Sequence, residues 1–146
     1  MKADTEQALA LLRRESLTCA LCRGADHHTS HERGVKPLLN WLDNGMRFSD
    51  FCAADKVVGA GAAYLYVLLD IKELYALVLS EPAKSVLERY GIAAHGEQTV
   101  PNIINRAGDG ICPIEQAVAA ATDPQDALDR IRKRLATLQA QPQNKS

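Results

Sequence analysis

The sequence has no long hydrophobic run. Its longest apolar stretch, Val57 to Leu69, is broken by two glycines and two tyrosines and falls short of the ~20 residues that cross a bilayer as a helix. The opening residues Met1 to Gln7 carry acids and no apolar core before a small-residue cleavage site, so no signal peptide is expected and the cytoplasm is the expected location. Charge of one sign is missing as well. With 17 Lys and Arg against 18 Asp and Glu, the formal charge is −1, too small for a field that would steer the chain to nucleic acid or an anionic membrane. The basic cluster Arg130, Arg132, Lys133 and Arg134 is expected as a solvated helix face near a C-terminus, where cations favour the dipole. No membrane partner is expected, and no nucleic acid.

Cysteine is scarce, with four in the chain, and in a cytoplasmic protein of this size four cysteines imply no disulfides. Cys19-Ala20-Leu21-Cys22 followed by His27, His28 and His31 invites a zinc reading. The spacer argues against it, because four residues separate Cys22 from His27 where a zinc finger has ~12. Two cysteines three apart on a strand also face opposite sides. No metal site and no cofactor are expected.

What is present is ordinary globular composition. Hydrophobic residues at 47% and charged residues at 24% exclude disordered and fibrous classes, and 146 residues suit one domain with a real core. That domain is expected over residues 1–138, with 139–146 as a flexible polar tail.

Periodicity supplies the elements. Ala8, Leu11 and Leu12 mark an amphipathic helix from Thr5 to Glu15, with Thr5 as its cap. Leu17 to Cys22 reads as a buried strand and His27 to Ser30 as its hairpin partner across Arg23-Gly24-Ala25-Asp26. Gly34 to Asp43 is a short helix stopped by Asn44-Gly45. Ala54 to Leu69 reads as a central helix, whose Gly59-Ala60-Gly61-Ala62-Ala63 side allows close approach to a sheet. Lys72 to Leu79 is a covered strand, Pro82 to Tyr90 a helix ended by Gly91, and Ile92 to Val100 a weaker strand. Asn102 to Ile111 is a loop, Cys112-Pro113-Ile114-Glu115 opens a short helix, and Asp123 caps a last helix from Pro124 to about Leu138. The predicted class is α/β, three layers α-β-α around a mixed sheet, with right-handed crossovers between parallel strands.

Five phrases in order carry a family resemblance: Arg33-Gly34-Val35-Lys36-Pro37-Leu38-Leu39, Ala54-Asp55-Lys56-Val57-Val58-Gly59, Ser80-Glu81-Pro82-Ala83, Pro101-Asn102-Ile103-Ile104-Asn105-Arg106 and Cys112-Pro113-Ile114-Glu115. Together they resemble the family labelled domain of unknown function 1893, over roughly residues 4 to 135. The resemblance implies a cytidine-deaminase-like fold and no assigned activity. Zinc deaminases of that fold carry His-x-Glu at one helix start and Pro-Cys-x-x-Cys at the next, where the metal activates water and the Glu moves protons. In the matching frame Asp55 and Val57 stand at the His and Glu positions, while Ala83 and Val86 follow Pro82 where both thiolates belong. Hydrocarbon side chains cannot hold Zn²⁺, which needs three or four N, O or S donors, so zinc-dependent deamination is not expected.

The remaining polar residues define a metal-free candidate pocket. Asp55 and Lys56, read at a helix start, either cap it or contact a ligand. Ser80 and Glu81 precede Pro82 at a strand-to-helix junction, a place where α/β folds bind ligands and also where a Ser simply caps. Asn105 and Arg106 lie in a polar loop, and Arg106 suits a phosphate or carboxylate. Cys112 at a helix start is the candidate nucleophile, with His95 as its base if the fold brings them together; the other reading is a structural thiol. Three functions follow from these residues: binding of a nucleotide-like or other small anion, a non-catalytic interaction or regulatory domain, or a thiol enzyme built on Cys112. Homodimerisation is an expectation from the deaminase resemblance.

Overall fold

A computed structural model describes residues 1–140. Its elements run α1 (Ala3–Arg14), β1 (Cys19–Arg23), β2 (Asp26–Ser30), α2 (Lys36–Asp43), β3 (Cys52–Val58), α3 (Ala60–Leu69), β4 (Glu73–Ser80), α4 (Glu81–Arg89), β5 (Ala93–Val100), α5 (Pro113–Ala117) and α6 (Pro124–Ala140). The five strands form one mixed sheet in the order β2-β1-β3-β4-β5. β1 is antiparallel to both β2 and β3, whereas β3, β4 and β5 are parallel.

Two apolar layers cover the sheet. On one side Ala8, Leu11 and Leu12 of α1 pack over Ala20, Cys22 and Ala54. On the other, Leu65, Tyr66 and Leu69 of α3 join Leu21, Ala53 and Leu74 in the larger core. The two cysteines of β1 thus divide as the strand period requires: Cys22 lies in the α1 layer, and Cys19 pairs with Asp55 on the α3 side.

One element differs from the sequence expectation in a way that moves the site. Ala54 to Val58 is strand, not the first turns of a helix, and α3 begins only at Ala60. Cys52 to Val58 has neighbours on both sides, β1 antiparallel and β4 parallel, so its backbone groups are satisfied by the sheet, and Val57-Val58 favour extended backbone. Gly59, extended at φ −95° and ψ 179°, is the turning point into the helix. Asp55 and Lys56 therefore cap nothing.

The smaller differences have local causes. Thr5 lies inside α1 rather than capping it, because its hydroxyl donates across to Glu73. Ser80 caps α4, accepting from the Ala83 N–H at 3.1 Å, and Asp123 accepts from the Asp126 N–H at 2.8 Å at the start of α6. α6 continues to Ala140, past the expected end at Leu138; the rest of the expected tail lies outside the described residues. Among the described residues no helix is long and apolar enough to cross a membrane.

β3 and β4 each run directly into a helix, so their carboxyl ends and the starts of α3 and α4 meet at one edge of the sheet. Free N–H groups at helix starts and diverging loops make such an edge the usual ligand crevice of open α/β sheets.

Candidate functional site

A cavity of about 490 Å³ opens at this edge, between the end of β3, the start of α3, the segment before α2 and the 103–115 segment. Its walls are largely aliphatic, from Val35, Pro37, Val57, Ile103 and Ile114. Gly59 and Gly61 form part of the surface, Gly59 in a tight spot and Gly61 where nothing larger fits. A Cβ on Gly61 would stand 2.5 Å from Ile114 Cγ2, and one on Gly59 would stand 3.1 Å from both Glu115 Oε2 and Ile103 Cγ1.

Asp55 lies at the inner end and is only 9% exposed. Its Oδ2 accepts from the Tyr66 hydroxyl at 2.6 Å and its Oδ1 from the Val57 N–H at 3.2 Å. Burial raises its pKa to about 7, against the opposing pull of the hydrogen bonds from Tyr66 and the Val57 backbone. Tyr66 is driven well above the usual phenol range, by burial first and then by the neighbouring Asp55 charge. The Cys19 thiol, also in the lining, is raised by burial and by Asp55. A thiol held protonated in this way is a poor nucleophile.

The outer end is cationic. Arg33, Lys56 and Arg106 line the cavity and are exposed, and among the described residues none of them makes an ion pair. The cavity thus has a buried carboxyl inside, apolar walls, and three uncommitted cations outside.

Glu115 also lines the cavity and is 5% exposed. Its Oε2 accepts from the Ala60 N–H at 2.6 Å and the Ser80 hydroxyl at 3.0 Å, and its Oε1 accepts from the Ile103 N–H at 2.6 Å. One carboxyl group therefore satisfies the first N–H of α3 and, through Ser80, steadies the cap of α4. Although Glu115 sits in the first turn of α5, its oxygens serve other elements.

Of the residues singled out from sequence, Asp55, Lys56, Arg106 and Cys112 line this one cavity. Ser80 is fully buried, engaged by Ala83 and Glu115, and outside the lining. Glu81 is exposed in the first turn of α4, also outside the lining. Asn105 folds back on its own loop, accepting from the Gly108 and Asp109 N–H groups and donating to Asp109 Oδ1 at 3.0 Å. His95 does not meet Cys112. It pairs with Tyr75 in register, five residues and roughly 17 Å of strand from the Ser80 end, and its Nε2 lies 3.0 Å from Glu73 Oε2. Cys112 is half-buried with no imidazole among the residues lining its cavity.

Residues that the sequence did not nominate are Tyr66, Arg33 and Glu115. Arg33 belongs to one of the five phrases and could have been found there. Tyr66 sits eleven residues beyond Asp55, and its role emerges only once β3 and α3 are folded together.

The zinc-deaminase frame can be tested on this geometry. With α3 starting at Ala60, its first turn offers Ala60, Gly61 and Ala62, and α4 offers Ala83 and Val86. None carries a metal donor, so these residues do not fit a zinc ion. Among the described residues no group of three or more His, Cys, Asp or Glu side chains could hold a metal.

Residues 7–135 match the family described as domain of unknown function DUF1893. The chain belongs to the DUF1893 family. A solved structure agrees: the crystal structure of a DUF1893 family protein, TM1506, from Thermotoga maritima superposes with a TM-score of 0.78 at 24% identity. The match covers 94% of this chain and 92% of that one. At this identity the likeness speaks for the fold alone. No curated protein matches the sequence. The family description carries no activity, so the chemistry of this DUF1893 chain has to be read from its own cavity.

Proposed function

We propose that this chain binds a small organic anion of nucleotide-like size in the cavity at the end of β3, on a deaminase-like scaffold without zinc. The observation that carries this reading is the set of three exposed cations, Arg33, Lys56 and Arg106, gathered around one apolar-walled cavity with no acidic partner among the described residues. Surface cations left unpaired around a concavity favour an anion, and the two guanidinium groups can grip a phosphate or carboxylate by paired N–H donors. The volume of about 490 Å³ falls within the range of small-molecule sites. The antiparallel β2-β1-β3 unit followed by β3-α3-β4-α4-β5 crossovers supports the scaffold reading.

Binding rather than bond-breaking is favoured by what surrounds Cys112. The thiol has no histidine near it in the lining, so a nucleophilic role would lack its base. Calorimetric titration with nucleoside monophosphates and inorganic phosphate tests the proposal. Lys56→Ala and Arg106→Ala should each weaken binding about tenfold, equivalent to ~1.4 kcal/mol, while Cys112→Ser should leave it intact. Absence of binding to any of these anions at millimolar concentration would refute it.

A further inference from the structure

We infer that Asp55 decides which anions the cavity accepts: its carboxyl takes a hydrogen bond from an N–H group of the ligand, so the preferred ligands carry an amino or amide-type N–H edge opposite their anionic end. The inference rests on the anion-binding reading above and adds the chemistry of the ligand's other end.

Two acids line the cavity, and Asp55 has the greater capacity to spare. Glu115 already accepts three hydrogen bonds, from Ala60, Ser80 and Ile103. Asp55 accepts one on each oxygen, from Val57 and Tyr66, whereas a carboxylate offers about four acceptor sites. The buried group with the most acceptor capacity left for a ligand is therefore the Asp55 carboxyl.

The layout orients the ligand. Arg33, Lys56 and Arg106 are exposed and Asp55 is buried, so an anion held by the cations leaves the rest of the molecule pointing inward along Val57, Ile103 and Ile114. A head presenting only carbonyl oxygens would set lone pairs against an ionised carboxylate that has lost its water. A head presenting N–H groups fills the acceptor sites that Val57 and Tyr66 leave open. Sites built around a buried hydrogen-bonding group reject ligands that leave it unpaired far more strongly than apolar sites reject a change of size.

The test uses two pairs of probes that differ by a single amino group: adenosine 5′-monophosphate against purine riboside 5′-monophosphate, and 4-aminobenzoate against benzoate. At pH 8, where an acid with a pKa of about 7 is mostly ionised, the amino member of at least one pair should bind about tenfold more tightly. In Asp55→Asn, which exchanges one acceptor for a donor, that preference should fall to near unity while the phosphate and carboxylate contacts persist. Equal affinities within both pairs, or a preference unchanged in Asp55→Asn, overturn the assignment and leave anion binding standing. Failure of all four probes and of inorganic phosphate to bind overturns the anion reading itself, and this inference with it.

Discussion

Replacing Asp55 by Asn should make the protein more stable at pH 8 and flatten the pH dependence of its stability. Asp55 has a pKa of about 7 in the fold against 3.8 for the ordinary group. Between those values the folded state holds a proton that the unfolded chain has released, so stability falls as pH rises through this window. The difference of roughly three units corresponds to about 4 kcal/mol at ~1.4 kcal/mol per unit, most of it lost by pH 8. Asn fits the same space. Its oxygen can accept from the Val57 N–H and its amide can donate to the Tyr66 oxygen, so the two observed contacts keep partners after a reversal of one donor. Urea unfolding at pH 4, 5, 6, 7 and 8 should therefore give a wild-type stability that declines across the series and a variant stability that declines by about 4 kcal/mol less. A wild-type profile with the same slope as the variant would refute the reasoning, as would NMR titration of the Asp55 carboxyl near pH 4.

Glu73 predicts the opposite sign. Burial tends to raise it, but the hydrogen bonds from Thr5, the Lys2 N–H and His95 outweigh that and hold its pKa near 2, against 4.5 for the ordinary group. Its contribution, at most about 3 kcal/mol, is complete above pH ~4.5 and disappears as pH falls through 2, so acid unfolding followed by circular dichroism should be less steep in Glu73→Gln. Glu115→Ala leaves the Ala60 and Ile103 N–H groups and the Ser80 hydroxyl without their acceptor. A loss of about 3 kcal/mol in chemical denaturation is expected, with increased amide exchange at Ala60 and Ile103; unchanged exchange would contradict the linkage. Gly61→Ala gains about 1 kcal/mol of helix propensity but drives a Cβ to 2.5 Å from Ile114 Cγ2. Overpacking costs about 1–3 kcal/mol, so the melting temperature should drop, and a rise would show that α5 yields freely.

Much of the fold was legible because its elements announce themselves locally. The 3.6-residue spacing of Leu11 and Leu12 with Ala8, the hairpin turn at Arg23 to Asp26 and the apolar run of β4 each survive in the structure. The failure at Ala54 to Val58 is instructive. A short apolar run that joins a small-residue helix has no period of its own, and whether it is strand or helix depends on neighbours far away in sequence, here β1 and β4. That error put Asp55 and Lys56 on the wrong element yet at the correct edge of the sheet. The cavity residues Lys56, Arg106 and Cys112 were accessible as polar oddities in otherwise regular stretches. The Tyr66 to Asp55 bond, the reach of Glu115 to Ala60 and the separation of His95 from Cys112 were not, since each is a tertiary distance that no local pattern encodes.

The two buried carboxyls, Glu73 at the start of β4 and Asp55 in the middle of β3, bear on why the cavity exists. Glu73 is buried with three donors and gains by it; the fold has built its partners in. Asp55 is buried with two donors and still ends near 7, which means that those donors do not repay the loss of water. No cation compensates, because Lys56, the adjacent residue, is exposed. A fold selected for stability alone would place Asn at this position, which keeps partners for the Val57 N–H and for Tyr66 without burying a charge. Retaining an acid that costs about 4 kcal/mol at neutral pH, at the inner end of a cavity with cations at its mouth, makes sense if something outside the chain completes it. Stability sacrificed at a functional position is a common pattern in enzymes and binding proteins. A ligand that donates to the ionised Asp55 carboxyl would raise the stability of wild type more at pH 8 than at pH 5, and would do so much less in Asp55→Asn.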